Sequence, residues 1–119
     1  MGIEVFKKHL REKRAIKVAT GIDNTNLEHV AKIARAAQNA KASAVEIISN
    51  KEVYETVRKN TKLPIFVSSI HPFEILDATK WGADAVEIGN FNAQYKNKKF
   101  FTARDVTFKK VLLMWRTWF

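Results

Sequence analysis

The sequence predicts an α/β fold of parallel strands in the order α(βα)4, which is the N-terminal half of a (β/α)8 barrel. Short β-branched runs alternate with amphipathic, helix-like segments along the chain. The hexapeptide Ala-Ser-Ala-Val-Glu-Ile at 42–47 returns as Ala-Asp-Ala-Val-Glu-Ile at 83–88, an offset of 83 − 42 = 41 residues. An interval of about forty residues holds two strand–helix units of roughly 20 residues each. Both observations indicate a parallel sheet built from repeated βα units.

The predicted elements follow one another without a linker or low-complexity segment. In chain order they are a helix over 3–13, a strand over 15–20, a helix opened at 25, a strand over 44–49, a helix opened at 49, a strand over 63–70, a helix from 72 to 82, a strand over 85–89, a polar and aromatic loop over 90–101, and a last helix from 102. Each connection is short, as expected when strands and helices alternate in a compact domain.

The helix boundaries carry local signals. Thr25-x-x-Glu28 and Ser49-x-x-Glu52 match the capping box that opens a helix. Pro72 suits the first helical turn, since it has no N–H to leave unpaired, and Gly82 is a natural residue just after a helix end. The motif Thr102-x-x-Asp105 predicts the start of the last helix.

Two architectures accept four successive parallel strands: an open doubly wound sheet and part of a barrel. Alternate strands of a barrel supply the same interior layer, and Glu46 and Glu87 occupy matching places on the second and fourth strands. The same alternation points Lys17 inward, and such charges would be poorly tolerated in the core of a two-layer sheet. No G-x-G-x-x-G or G-x-x-x-x-G-K-[ST] motif supports the open sheet. We therefore expect a TIM-type half-barrel.

Composition limits the classes of function. The 119 residues fit one domain, and the absence of cysteine excludes disulfides and thiol nucleophiles. The net charge of +9 is spread along the chain without a recognition motif, so we expect no specific nucleic-acid partner. No metal-ligand spacing such as H-E-x-x-H occurs, and no apolar run reaches the ~18 residues of a transmembrane segment.

Three segments carry a resemblance to a known family. They are Ile-Lys-Val-x-x-Gly at 16–21, Leu-Pro-Ile-x-Val-Ser-Ser-Ile at 63–70, and Gly-Ala-Asp-Ala-Val-Glu-Ile-Gly-Asn-Phe at 82–91, extended by Tyr95 and by Phe-Phe-Thr-Ala at 100–103. From 15 to about 106 the chain resembles hypothetical chloroplast reading frame twenty-three, an uncharacterised family of cyanobacteria and plastids. The resemblance implies a TIM-type barrel of about twice this length and a soluble, organelle-encoded protein of the plastid (chloroplast). It supplies no reaction and no cofactor.

We expect a single partial domain over 1–119, with family-like βα units over 14–105 and a divergent, Trp- and Phe-rich C-terminal helix over 106–119. Four strands of an unclosed barrel would leave inward apolar side chains uncovered, which forgoes ~10–20 kcal/mol of stabilisation. The total stability of a domain is only about 5–15 kcal/mol. The expectation is a truncated half-barrel without independent catalysis. The alternative is a homodimer, a pair with a complementary half-barrel, or an interaction module that uses the open sheet face and the aromatic tail.

Candidate site residues lie where barrels place their chemistry, at and below the C-terminal ends of the strands. Lys17, Glu46 and Glu87 are the catalytic candidates, since a lysine between carboxylates can act as a general base or a Schiff-base amine. Glu87 is the preferred acid or base, and the alternative is an ion-pair triad that only fills the interior. The binding candidates, for a small anionic metabolite, are Ser68, Ser69, His71 and Asn90. For His71, next to Pro72, helix capping is the alternative.

Overall fold

The computed structural model describes residues 2–89, in which four helices alternate with four strands. The elements are α1 (Glu4–Arg11), β1 (Lys17–Ala19), α2 (Leu27–Asn39), β2 (Ala44–Ile48), α3 (Lys51–Asn60), β3 (Ile65–Ser69), α4 (Pro72–Trp81) and β4 (Ala85–Ile88). The strands form one sheet in the order β1-β2-β3-β4, and every neighbouring pair is parallel. The predicted loop over 90–101 and the predicted last helix, including the divergent segment 106–119, lie outside the described residues.

The strand order distinguishes the two architectures. In a doubly wound sheet the order in which successive strands are added reverses at a switch point, and helices cover both faces of the sheet. Here each strand joins beside the one before it, and α2, α3 and α4 all contribute to one apolar core with β2, β3 and β4. The predicted fold class is confirmed: this is an α/β chain with the arrangement of a half (β/α) barrel.

Successive side chains of each strand point to opposite faces of the sheet. Val45, Ile47, Ile65 and Val67 are at most 1% exposed and pack in the core under the helices. The residues between them face the other way, onto what we call the inner face. Strand register and alternation place on this face Lys17, Ala19, Ala44, Glu46, Ile48, Phe66, Ser68, Ala85 and Glu87. The predicted inward direction of the lysine and both glutamates is confirmed.

Helices α2 and α3 begin with asparagine caps. The side-chain oxygens of Asn26 and Asn50 each accept a hydrogen bond at 3.0 Å from the backbone N–H three residues later. The predicted caps, Thr25 and Ser49, were one residue too early, because asparagine caps a helix at least as well as serine or threonine. At the end of α4 the prediction is confirmed, since Gly82 adopts a left-handed conformation with φ 101°.

The repeated hexapeptide has a structural role at its second position. Ser43 and Ile16 exchange two hydrogen bonds, from the Ser43 N–H to the Ile16 carbonyl at 2.8 Å and from the Ile16 N–H to the Ser43 hydroxyl at 3.0 Å. Asp84 and Ile65 repeat the exchange at 3.0 and 2.9 Å, with a carboxylate as the acceptor. The repeat therefore fixes the start of β2 onto β1 and the start of β4 onto β3.

Helix α1 lies at the amino-terminal end of the inner face. The Phe6 ring meets the Phe66 ring edge to face, with 4.8 Å between centroids and 61° between planes. His9 Nδ1 lies 2.8 Å from the Ser43 hydroxyl oxygen, next to the start of β2. The helix thereby covers part of the face that the sequence predicted to be open.

Candidate functional site

The three residues predicted to be catalytic meet on the inner face, and we call them the triad. Lys17 Nζ lies 2.9 Å from Glu46 Oε1 and also donates a hydrogen bond to Glu87 Oε1. The side chains of Lys17, Glu46 and Glu87 are 26%, 18% and 36% exposed. They are therefore partly desolvated and partly exposed to solvent.

The triad also reports the shape of the sheet. Lys17 is on β1 and Glu87 is on β4, at opposite edges of the four strands. Strands are spaced about 4.8 Å apart, so the three strand spacings alone would separate these two residues by roughly 14 Å in a flat sheet. Their side chains make direct contact because the sheet curves toward its inner face. This concave shape is the one that a barrel wall requires.

The triad holds one cation between two carboxylates. Burial alone would lower the pKa of Lys17, but hydrogen bonds and charges from Glu46 and Glu87 outweigh it and raise that pKa above the usual range. Burial and the hydrogen bond to Glu46 together raise the pKa of Glu87. Burial also opposes ionisation of Glu46, yet its hydrogen bonds to Glu87 and Lys17 leave its pKa lowered. One lysine neutralises one carboxylate, so the second retains its proton to higher pH.

This arrangement divides the chemical roles among the three side chains. Lys17 remains an ammonium group, able to polarise an oxygen but not to act as a free amine nucleophile in this state. Glu46 remains the ionised partner. Because the pKa of Glu87 is raised and that of Glu46 is lowered, Glu87 is the carboxyl of the pair that takes up a proton first as the pH falls.

The predicted binding residues fall in different places. Ser68 pairs in register with Glu87 and shares the inner face. Ser69 follows it on the opposite face, where its hydroxyl accepts the His71 N–H at 2.9 Å and donates to the Glu74 carboxylate. His71 occupies the N-cap position of α4, although its imidazole does not cap the helix. Asn90 lies outside the described residues.

Two residues outside the predicted catalytic and binding sets also contribute to the surroundings of the triad. The Phe66 ring lies beneath the lysine, with Nζ 5.0 Å from the ring centroid. Thr20 binds the backbone of Glu46, since its N–H and hydroxyl both donate to the Glu46 carbonyl oxygen, at 2.9 and 3.2 Å. The alternation along β3, which puts Phe66 in phase with Ser68, could have revealed the aromatic neighbour.

Within residues 2–89, no group of three or more potential metal ligands is arranged to hold an ion. Among the helices of this part of the chain, none is long and apolar enough to cross a membrane.

Comparison with known proteins gives the family. The family model described as "Protein of unknown function (DUF561)" matches residues 3–112, nearly the whole chain. The chain belongs to this family. No solved structure matches it.

Proteins similar to this chain include several called "Uncharacterized protein ycf23". The one from Cyanophora paradoxa is 42% identical over 98 residues, which are 82% of this chain and 40% of the relative. That of Cyanidium caldarium is 40% identical over 87 residues (73% and 35%), and that of Antithamnion sp. is 37% identical over 86 residues (72% and 31%). The resemblance seen in the sequence is confirmed.

These relatives are ycf proteins of algal plastid genomes, and their family is uncharacterised. The chain spans only about a third to two fifths of their length.

Proposed function

We propose that this chain is part of a plastid protein of the TIM-barrel type that binds a small anionic metabolite and transfers protons at the triad. The observation that carries the proposal is the contact of one lysine with two carboxylates on the concave face, where Lys17 Nζ reaches both Glu46 and Glu87. Such a cluster combines a fixed cation with a carboxyl group whose proton is easily exchanged.

The roles follow from the charges. Glu87 donates or accepts the proton, Lys17 polarises a carbonyl or hydroxyl oxygen of the ligand, and Glu46 keeps the lysine charged and in place. The triad itself carries no surplus positive charge, so the anionic group of the ligand binds beyond it. The carboxyl edge of the sheet, where α3 and α4 begin, favours negative charge because helix N-termini are electropositive. Ser68 and His71 are the binding candidates at that edge, and Asn90, which follows β4 in the sequence, is a candidate outside the described residues.

The half-barrel is proposed to bind the ligand without completing a reaction. Barrel enzymes take catalytic groups from several strand ends, and they often bind phosphate after strands seven and eight. The relatives possess further sequence that can supply such groups, since the matched region is 40% or less of their length.

Ligand binding can be tested directly on the 119-residue chain by NMR. The probes are glycerol 3-phosphate, pyruvate and inorganic phosphate, titrated at pH 7 into labelled protein. We expect shifts of the amide signals around Ser68 with at least one probe, and an affinity about 10-fold weaker in the Glu87→Ala variant, as for one lost hydrogen bond to a charged group. Glu55→Ala, an exposed change on α3, serves as the matched control. No shift with any probe, or equal affinity in both variants, would contradict the proposal.

A second candidate function is self-association through the strand edges. In the described part of the chain β1 and β4 are the edges of the sheet, and exposed edges readily pair with further strands. Large exposed apolar side chains cluster in sequence around β1: Leu10, Ile16 and Leu27. A homodimer in which β1 of each copy meets β4 of the other would close an eight-stranded ring and cover them.

Light scattering after size exclusion, at several concentrations, tests the dimer. We expect Ile16→Lys to shift a dimer toward monomer, because Ile16 is 63% exposed beside the β1 edge. Phe73→Ser is the control, since Phe73 is 79% exposed at the start of α4, away from β1. A wild-type chain that remains a folded monomer at every concentration rules this function out.

A further inference from the structure

The ammonium group of Lys17 has an aromatic neighbour as well as its two carboxylates. Its Nζ lies 5.0 Å from the centroid of the Phe66 ring, within the range in which a cation is attracted to an aromatic face. Phe66 is 7% exposed, so this attraction acts where water is mostly excluded. The ammonium group of Lys17 therefore contacts the Phe66 ring as well as Glu46 and Glu87.

The ring of Phe66 is in turn held by α1. Phe6 meets it edge to face at 4.8 Å, a geometry in which the electropositive edge of one ring contacts the electronegative face of the other. No residue of α1 is buried, so the helix depends on few attachments for its position. One of them is this aromatic pair, and another is the contact between His9 and Ser43.

We propose that α1 is a positioning element for the triad: Phe6 fixes the Phe66 ring, and that ring holds the Lys17 ammonium against Glu46 and Glu87. The inference rests on the proposed function of the triad. It assigns Phe6 and Phe66 a role in keeping the Lys17 ammonium within hydrogen-bond distance of both carboxylates. Neither ring touches the exchanging proton, so both act through Lys17. The helix that precedes the first strand thereby becomes part of the site.

The experiment follows the side-chain carboxyl carbons of Glu46 and Glu87 by NMR between pH 3 and 10, in the 119-residue chain. The Phe6→Ala variant removes the ring that contacts Phe66, so the Phe66 ring and the Lys17 side chain become more mobile. The interaction of the Lys17 ammonium with the two carboxylates is then weaker on average. We expect both titration midpoints to rise, by about half a pH unit, the size of one partly exposed cation–π contact.

Two further variants separate positioning from mere stability. Leu10→Ala alters an exposed residue of the same helix and should leave both midpoints unchanged. Phe6→Leu keeps the apolar volume without the ring, and it decides the question if Phe6→Ala does not fold. Unchanged midpoints in a folded Phe6 variant would overturn the role of α1.

The wild-type titration distinguishes this inference from the proposed function. If the two carboxyls titrate independently in the ordinary range of glutamate, the triad lacks the coupling that proton transfer requires, and both proposals fail. If they titrate as a coupled pair but ignore every change at Phe6, only the role of α1 fails.

Discussion

The two glutamates of the triad should respond differently to the same substitution. Glu46→Gln removes the carboxylate that lies 2.9 Å from Lys17 Nζ and is 18% exposed. A hydrogen bond between charged groups contributes about 1.5–3 kcal/mol, and partial exposure reduces this to about 1–2 kcal/mol. We expect Glu46→Gln to lower the free energy of unfolding at pH 7 by that amount.

Glu87→Gln should cost little or even stabilise the fold. The new amide still offers an oxygen to Lys17 and gains an N–H group for Glu46, while the repulsion between two carboxylates disappears. Glu87 is 36% exposed, so solvent screening keeps the gain at or below about 1 kcal/mol. The difference between the two variants at pH 7 is then about 1–3 kcal/mol.

The pH dependence has opposite signs for the two residues. The pKa of Glu46 is lowered from 4.5, so its stabilising contribution is present above pH 4.5 and is lost as the pH falls through the folded value. The pKa of Glu87 is raised from 4.5, so its contribution is present below pH 4.5 and is lost as the pH rises through the folded value. The free energy of unfolding of Glu46→Gln should therefore approach that of the wild type in acid. The free energy of unfolding of Glu87→Gln should instead rise relative to that of the wild type as the pH increases toward neutral.

Urea unfolding followed by circular dichroism at pH 3, 5 and 7 measures these differences, with Glu55→Gln as the exposed control. Equal losses for Glu46→Gln and Glu87→Gln at pH 7, or a larger loss for Glu87→Gln, would refute the assignment of Glu46 as the ionised partner.

Two other predictions concern the frame around the triad. Gly82→Ala should lower the free energy of unfolding by about 1–2 kcal/mol, because φ is 101° there; Gly2→Ala, where a Cβ meets open space, should have no measurable effect in the same urea assay. Asp84→Ala should cost about 2–3 kcal/mol, because it removes the acceptor of the Ile65 N–H and the ion-pair partner of Arg58, at 2.9 and 3.3 Å. Asp84→Asn keeps an acceptor for the Ile65 N–H and should lower the free energy of unfolding by less. An equal decrease in both variants would show that the ion pair with Arg58, rather than the hydrogen bond to the backbone, makes the larger contribution.

The parts of the site that the sequence predicts are those governed by strand alternation. Residues two apart share a face, so the matching positions of Glu46 and Glu87, together with the phase of Lys17, were enough to bring three residues into one cluster. The contact between Phe6 and Phe66 joins elements sixty residues apart, since 66 − 6 = 60, and no periodic pattern encodes it.

Local ambiguity explains the other differences. Asn26 and Asn50 each stand beside a serine or threonine that could equally begin a helix, and only the backbone path selects between neighbours. Ser68 and Ser69 are identical in chemistry, yet one step along a strand puts the first on the inner face and the second beside α4.

The order in which strands join the sheet also bears on how the chain folds during synthesis. Each strand pairs with its predecessor, so the sheet can grow by one βα unit at a time as the polypeptide leaves the ribosome. Lys17 and Glu46 can meet once β2 has docked, but Glu87 is 70 residues from the lysine and arrives only with β4. We expect a nascent chain that ends before residue 85 to hold an incomplete ion pair. The full curvature of the sheet would then be set only when the second carboxylate closes onto the first strand.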